Sequence, residues 1–391
     1  MQSEIIQEIL GQLQQLCSVK GTGINEKAAR RQACELARKL SQELEEPGDL
    51  IDRIIHQPGE NAMLRLAQDL GIYAHLVQAD GSVSCENIST ATGADVVLMR
   101  RILRCLAALG HIDEKDVDVF AANKFSMAFV TPKGIAGSKF AFETATPAWN
   151  AMPAYLKSIG FKNPENSHDA PLQRGFGSQK HMFELLVEHG VLENFQTFMT
   201  SYRADREEFL DIFPARERLL DGSQDDSVLL VDIGGGRGHD IEKILEQLPD
   251  TKGRMVLQEV GDVVKQVSES DAMKVMVHDF FTPQPIQAAR VYYLRMILHD
   301  WPDEQCVDIL KNVVSAMKPG YSKVLVSDVV LPDKGATRFA AQSDIVMMCL
   351  LAGMERNETQ WRQLFDRAGL KIIDIWRSTP ESVIEAELAE Q

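Results

Sequence analysis

From residue 227 onward, short apolar runs alternate with helical patterns, and few folds accept that rhythm. The runs are "SVLLVDI" (227–233), "RMVLQEV" (254–260), "KVMVHDF" (274–280), "ARVYYLRMIL" (289–298) and "SKVLVSDVVL" (322–331), followed by a closing pair, "KIIDIWRS" (371–378) and "ESVIEAEL" (381–388). Strands joined by helical crossovers predict an α/β, Rossmann-like doubly wound sheet. Ligands of such sheets bind beyond the carboxyl ends of the strands. The residues at those ends are therefore the first candidates for function.

The first strand runs into "VDIGGGRGHD". Gly234, Gly236 and Gly238 allow a tight turn and a close approach of the backbone to a ligand, and the next helix offers free N–H groups at its start. A dinucleotide fingerprint would need glycine where His239 stands. Asp232, just before the turn, would repel a pyrophosphate and attract a cation. Glu259 closes the second strand, where a carboxylate accepts hydrogen bonds from ribose hydroxyls, and Asp279 closes the third. Acidic residues at three adjacent strand ends describe a ligand with hydroxyls, donors and positive charge but no phosphate. S-adenosylmethionine, with its ribose, adenine amine, ammonium and sulfonium, meets that description.

The upstream part has a different logic. Between residues 60 and 130, "NAMLRLAQDLGIYAHL", "VSCENISTATG" and "ADVVLMRRILRCLAALGHIDE" read as three helices, and "KDVDVFAANKFS" as a hairpin. That is a winged-helix-like outline. A DNA-binding version would use Arg100, Arg101 and Arg104, but "DEKDVDV" places like charge where phosphates would sit, and the chain carries a net charge of -16. Nucleic acid is excluded as a partner and dimerisation is expected instead. Ile6, Ile9, Leu13 and Leu16 recur at spacings of three and four, forming an apolar stripe that needs a cover from its own domain or a second subunit. Residues 1–130 are thus expected as a helical dimerisation domain and residues 131–391 as the catalytic domain. "KNPENSHDAPLQRGFGSQ" reads as a mobile surface loop. The six cysteines contain no C-x-x-C pair, so no metal or disulfide framework is implied. Without a signal sequence or membrane-length apolar run, a cytoplasmic protein with no membrane partner is expected.

"LVDIGGGRGH" and above all "LRMILHDWPDEQC" resemble the plant-type small-molecule O-methyltransferases, and within them the fungal branch that modifies secondary metabolites. The resemblance spans nearly the whole chain. It implies His299 as a general base that takes the proton of a phenolic or similar hydroxyl, with Glu355 in "GMERNETQW" and Asp328 in "VSDVVLP" orienting it. Plant members usually carry glutamate where Asp328 stands. An imidazole titrates near neutrality, so His299 is expected to be neutral at rest. The resemblance also adds Phe280, Arg295 (usually lysine) and Trp301 to the cofactor set of Asp232, Gly234, Gly236, Glu259 and Asp279. Candidate substrate contacts are Trp149, Phe176, Met182, Phe183, Met199, Met296, Met347, Met348 and Met354, an apolar set suited to a hydrophobic aromatic metabolite. Asp300, beside the base, is expected to cap the following helix. The implied protein is a homodimeric methyltransferase acting on a hydroxyl of an aromatic or polyketide-like small molecule. Two alternatives are N-methylation and use of the bound cofactor as a cation for dehydration or pericyclic chemistry.

Overall fold

A computed structural model describes residues 2–18, 27–204, 209–223, 227–251, 254–265, 267, 273–378 and 381–390. The chain divides into two compact units, residues 1–127 and 128–391.

The first unit holds α1 (Gln2–Ser18), α2 (Lys27–Leu44), α3 (Pro47–Asp69), α4 (Ile72–Gln78), α5 (Cys85–Thr92) and α6 (Val96–Ala108), with strands β1 (Val83–Ser84), β2 (Asp113–Asp116) and β3 (Val119–Ala121). The strands pair antiparallel in the order β1-β3-β2, completing the expected winged outline. Asp95 starts α6 by accepting the N–H groups of Val97 and Leu98, and Met99, Ile102, Leu103 and Leu106 bury one face at helical spacing. Arg100 on that helix pairs with Asp118 at 2.7 Å and Glu86 at 3.3 Å, so its charge is neutralised within the unit. Ile9 of the α1 stripe is buried, as are Ala33 and Leu36 of α2. On α3 the apolar residues Leu50, Ile51, Ile54 and Ile55 stay exposed, Ile55 at 65%.

After α7 (Lys124–Phe129), the second unit begins with α8 (Pro132–Lys139), a π-helical turn Phe140–Ala145, α9 (Thr146–Ser158), α10 (Pro171–Phe176), α11 (Met182–Glu188), α12 (Leu192–Ala204), α13 (Phe209–Ile212) and α14 (Ala215–Leu220). The stretch expected as a mobile loop contains α10. Pro171 presets the first helical φ, Gln173 Oε1 accepts the Ala170 N–H at 3.0 Å, and Leu172 is fully buried. Then β4 (Leu230–Ile233), α15 (His239–Gln247), β5 (Met255–Glu259), α16 (Gly261–Val264), β6 (Met273–Val277) and β7 (Val291–Arg295) follow. The chain ends with α17 (Asp303–Val314), β8 (Lys323–Asp328), β9 (Val330–Leu331), α18 (Arg338–Leu351), β10 (Arg356–Asn357), α19 (Glu358–Arg367), β11 (Leu370–Trp376) and β12 (Ser382–Leu388).

The main sheet runs β11-β12-β8-β7-β4-β5-β6, with β4 to β8 parallel and β12 antiparallel to both neighbours. Its central strands are apolar on both faces because helices cover both. Along β7, Tyr292 and Leu294 enter one core cluster while Val291 and Tyr293 enter the other. This two-sided burial makes the sheet rigid and leaves chemistry to the strand ends. Among the described residues, no helix is long and apolar enough to cross a membrane.

Candidate active site

At the end of β4 the backbone turns through Gly234 (φ +69°) and Gly236 (φ +62°) before α15 starts at Gly238 (φ +83°). A side chain at Gly235 would collide with Asp232 Oδ2 at 2.2 Å, whereas one at Gly236 would meet nothing within 4 Å. The turn therefore packs down on buried Asp232 and opens on its other side. Glu259 Oε2 accepts the Val260 N–H at 2.7 Å, and Asp279, two residues beyond β6, accepts the Phe281 N–H at 3.0 Å. Phe280 and Phe281 stand edge-on to Trp301 at 5.9 and 4.8 Å between ring centres. An open glycine turn beside carboxylates at three neighbouring strand ends suits a ligand with hydroxyls and positive charge, and the aromatic box suits its adenine. The residues present thus fit S-adenosylmethionine.

Arg295, expected beside that cofactor, is only 4% exposed and donates to Asp240 Oδ1 at 2.6 Å and Glu381 Oε2 at 2.9 Å. Its hydrogen bonds in this structure serve an internal network that joins β7, α15 and the start of β12.

His299 lies on a 3-10 turn, Leu298–Asp300, that begins two residues past Met296, whose φ of +54° turns the chain sharply off β7. The turn is held from several sides. Arg356, wholly buried, donates to the carbonyls of Leu298 and Trp301, both at 3.0 Å, and to Asp303 at 2.9 Å. The His299 carbonyl accepts the Met354 N–H at 3.0 Å, and a Cβ on Gly353 would sit 2.1 Å from that same carbonyl. Only glycine lets the two segments meet there.

The His299 side chain is 4% exposed, with Nδ1 3.1 Å from Glu355 Oε1 and 3.8 Å from Asp328 Oδ1, and Nε2 3.4 Å from Asp300 Oδ1. Glu355 is itself held by the Ser343 hydroxyl at 2.7 Å. Asp328, buried at the end of β8, is beyond hydrogen-bond reach of the imidazole and finds no hydrogen-bond partner among the described residues. Burial pushes its carboxyl up to about 8. Burial would pull His299 down, but the carboxylates of Glu355, Asp328 and Asp300 together outweigh it and push the imidazole up to about 10. This raised proton affinity runs against the expectation of a neutral resting histidine.

Asp300 is not the helix cap expected from the sequence. Pro302 occupies the N-cap of α17 with no side-chain hydrogen bond, and Asp300 instead faces His299. Adjacent side chains can reach one another here because the turn is 3-10 rather than extended.

Trp149, Phe176, Phe183 and Met347 pack on one apolar cluster with Met182, Leu350 and Leu351. A cavity of about 190 Å³ opens into it, lined by Leu172, Phe176, Met182 and Val191 among others. Met182 is 2% exposed and acts as wall. Met199 on α12 and Met296, Met348 and Met354 are half-buried. A more open groove of about 610 Å³ along α9 and α10 contains none of the sequence-predicted residues. Sequence reading missed Ser343, Asp240, Glu381 and the roles of Gly353 and Arg356. The last two flank Glu355 in a run already singled out, whereas nothing local marks the others.

These features define a methyltransferase fold with a site for S-adenosylmethionine. Residues 217–371 match the family model of the O-methyltransferase domain and residues 59–132 that of the O-methyltransferase dimerisation domain. Over 381 residues the chain is 36% identical to the O-methyltransferase mfmE of Annulohypoxylon moriforme, covering 96% of this chain and 95% of that one. The solved structure of LepI in complex with S-adenosylmethionine superposes with a TM-score of 0.87 at 30% identity, covering 99% of this chain and 100% of LepI. A structure described as a pericyclic reaction enzyme matches equally well, at TM-score 0.87 and 30% identity over 99% of this chain and 100% of its own. The chain belongs to the O-methyltransferase family, and its cofactor is S-adenosylmethionine.

Proposed function

We propose that this enzyme transfers a methyl group to a hydroxyl of an aromatic or polyketide-like secondary metabolite, with His299 Nε2 as the general base. The observation that carries this reading is the buried contact of His299 with Glu355 at 3.1 Å. When bound, S-adenosylmethionine supplies a methyl group on a cationic sulfur, which departs as a neutral thioether. The residues that would hold it are Asp232, Gly234, Gly236, Glu259, Asp279, Phe280 and Trp301. Glu355 accepts the Nδ1 proton and fixes the ring, leaving Nε2 to take the proton of the hydroxyl as its oxygen attacks. A base with so high a pKa is strong once neutral, which suits a phenolic or enolic proton. The apolar cluster around Phe176 and Met182 supports a hydrophobic acceptor.

The test is incubation with methyl-labelled S-adenosylmethionine and a panel of phenolic, polyketide and indole metabolites, read by mass spectrometry. Label in an oxygen of the product is expected. A product altered only by loss of water or by rearrangement, without label, would establish the cation-promoted alternative. Label on nitrogen would establish N-methylation.

A homodimer in the cytoplasm completes the reading. The support for the dimer is the dimerisation-domain match and the exposed apolar stripe of Leu50, Ile51, Ile54 and Ile55 on α3. Replacing Ile51 and Ile55 with glutamate should halve the particle mass measured by light scattering. An unchanged dimer would remove this stripe from the interface.

A further inference from the structure

We propose that His181 is a positioning residue, whose Nε2–H donates to an oxygen of the acceptor substrate lying beside the hydroxyl to be methylated. The proposal rests on the reaction assigned above and adds a substrate feature, a carbonyl or ether oxygen next to the reacting group.

His181 is the N-cap of α11. Its Nδ1 accepts the Phe183 N–H at 3.4 Å, while its own N–H donates to Glu184 Oε2 at 2.9 Å. With Nδ1 accepting, the proton of the neutral ring belongs on Nε2. The ring is 6% exposed, and burial, with the neighbouring His168, pulls it down to about 4. That favours the neutral ring near neutral pH. Nε2 is buried and finds no hydrogen-bond partner among the described residues. A buried N–H without an acceptor is destabilising, and a bound ligand that offers one relieves it.

Two simpler roles do not account for the residue. As a cap alone, serine, asparagine or aspartate would serve better without burying a ring. As a stacking partner alone, phenylalanine would serve without an orphaned donor. The surroundings point to the substrate side. The ring lies parallel to Trp301, centres 4.8 Å apart and planes within 8°, and Trp301 follows the base by two residues. The next residue, Met182, lines the apolar cavity together with Phe176. His181 thus spans the base-bearing turn and the apolar wall. In the proposed complex, a hydroxyarene with its hydroxyl at His299 and its ring on that wall would set an adjoining oxygen against Nε2.

The experiment compares wild type with His181→Phe, which keeps the stack and the volume, and His181→Gln, which returns a donor. The probes are paired hydroxyarenes with and without a neighbouring carbonyl, such as 1-hydroxyanthraquinone with 1-hydroxyanthracene and 2-hydroxyacetophenone with 2-ethylphenol. His181→Phe is expected to lower kcat/KM about tenfold for the carbonyl members and less than about twofold for their partners, mainly through KM. His181→Gln should recover part of that loss. Affinity for S-adenosylmethionine and Tm should stay at wild-type values in both variants. Equal losses on both members of each pair, no loss on either, or a parallel loss of cofactor affinity would overturn the proposal. Failure of the wild type to methylate any hydroxyl in the wider panel would overturn the reaction itself, and the proposal with it.

Discussion

Replacing His299 with alanine is expected to lower kcat by about 10² to 10⁴-fold while S-adenosylmethionine affinity stays within about threefold of wild type. The two quantities separate because the imidazole contacts Glu355, Asp328 and Asp300, none of which belongs to the cofactor set. The variant leaves the buried acids Glu355 and Asp328 facing a small cavity without their imidazole neighbour, so some loss of Tm is also expected. His299→Gln, which keeps a neutral polar group of similar length, should recover stability without recovering turnover. Single-turnover rates and calorimetric binding of the cofactor measure both effects. If cofactor affinity fell in proportion to kcat, His299 would be a binding residue and not the base.

Glu355→Gln should act in two ways at once. The carboxylate now accepts the Nδ1 proton and helps to hold the imidazole in its charged form. The base works only when neutral, so kcat/KM should rise as pH increases through the pKa of His299. Removing a carboxylate lowers that pKa, so the ascending limb should move toward lower pH in the variant. Its plateau should nonetheless fall about 10²-fold or more, because an amide can donate to Nδ1 and place the ring proton on Nε2, where the substrate proton must go. Bound cofactor, itself cationic, should already bring the wild-type limb below the value of about 10 reached without it. Profiles of kcat/KM from pH 6 to 10 for both proteins provide the check. A plateau that falls with no movement of the limb would mean that Glu355 orients the ring without setting its charge.

The strand-and-helix rhythm after residue 227 was readable because period-2 and period-3.6 patterns are local properties of a chain whose sheet is buried on both faces. Every strand of the main sheet falls within or at the edge of a run visible in the sequence. The glycine turn and its acidic neighbours were readable for a related reason, since strand ends recur at regular intervals and their side chains converge. The winged outline of the first unit was also local. The α10 helix was missed because Pro, Gly and Asn dominate its surroundings, and only its buried Leu172 and the Gln173 side chain decide for a helix.

Charge and hydrogen bonding at the site were another matter. That His299 and Glu355 would meet came from resemblance, since 56 residues separate them in the chain. That Asp300 faces the base instead of capping α17, that Arg295 pairs with Asp240 and Glu381, and that His181 stacks on Trp301 could not come from spacing. Each depends on side chains from distant elements meeting out of water, where a neighbour a few ångströms away changes a proton affinity by orders of magnitude. Sequence by itself determined the layered fold and the cofactor end of the sheet, and resemblance to a family pointed to His299 as the proposed base. The tertiary structure alone decided that three acidic side chains gather around His299 and raise its proton affinity, because burial and mutual distance, not residue type, set which groups hold their protons.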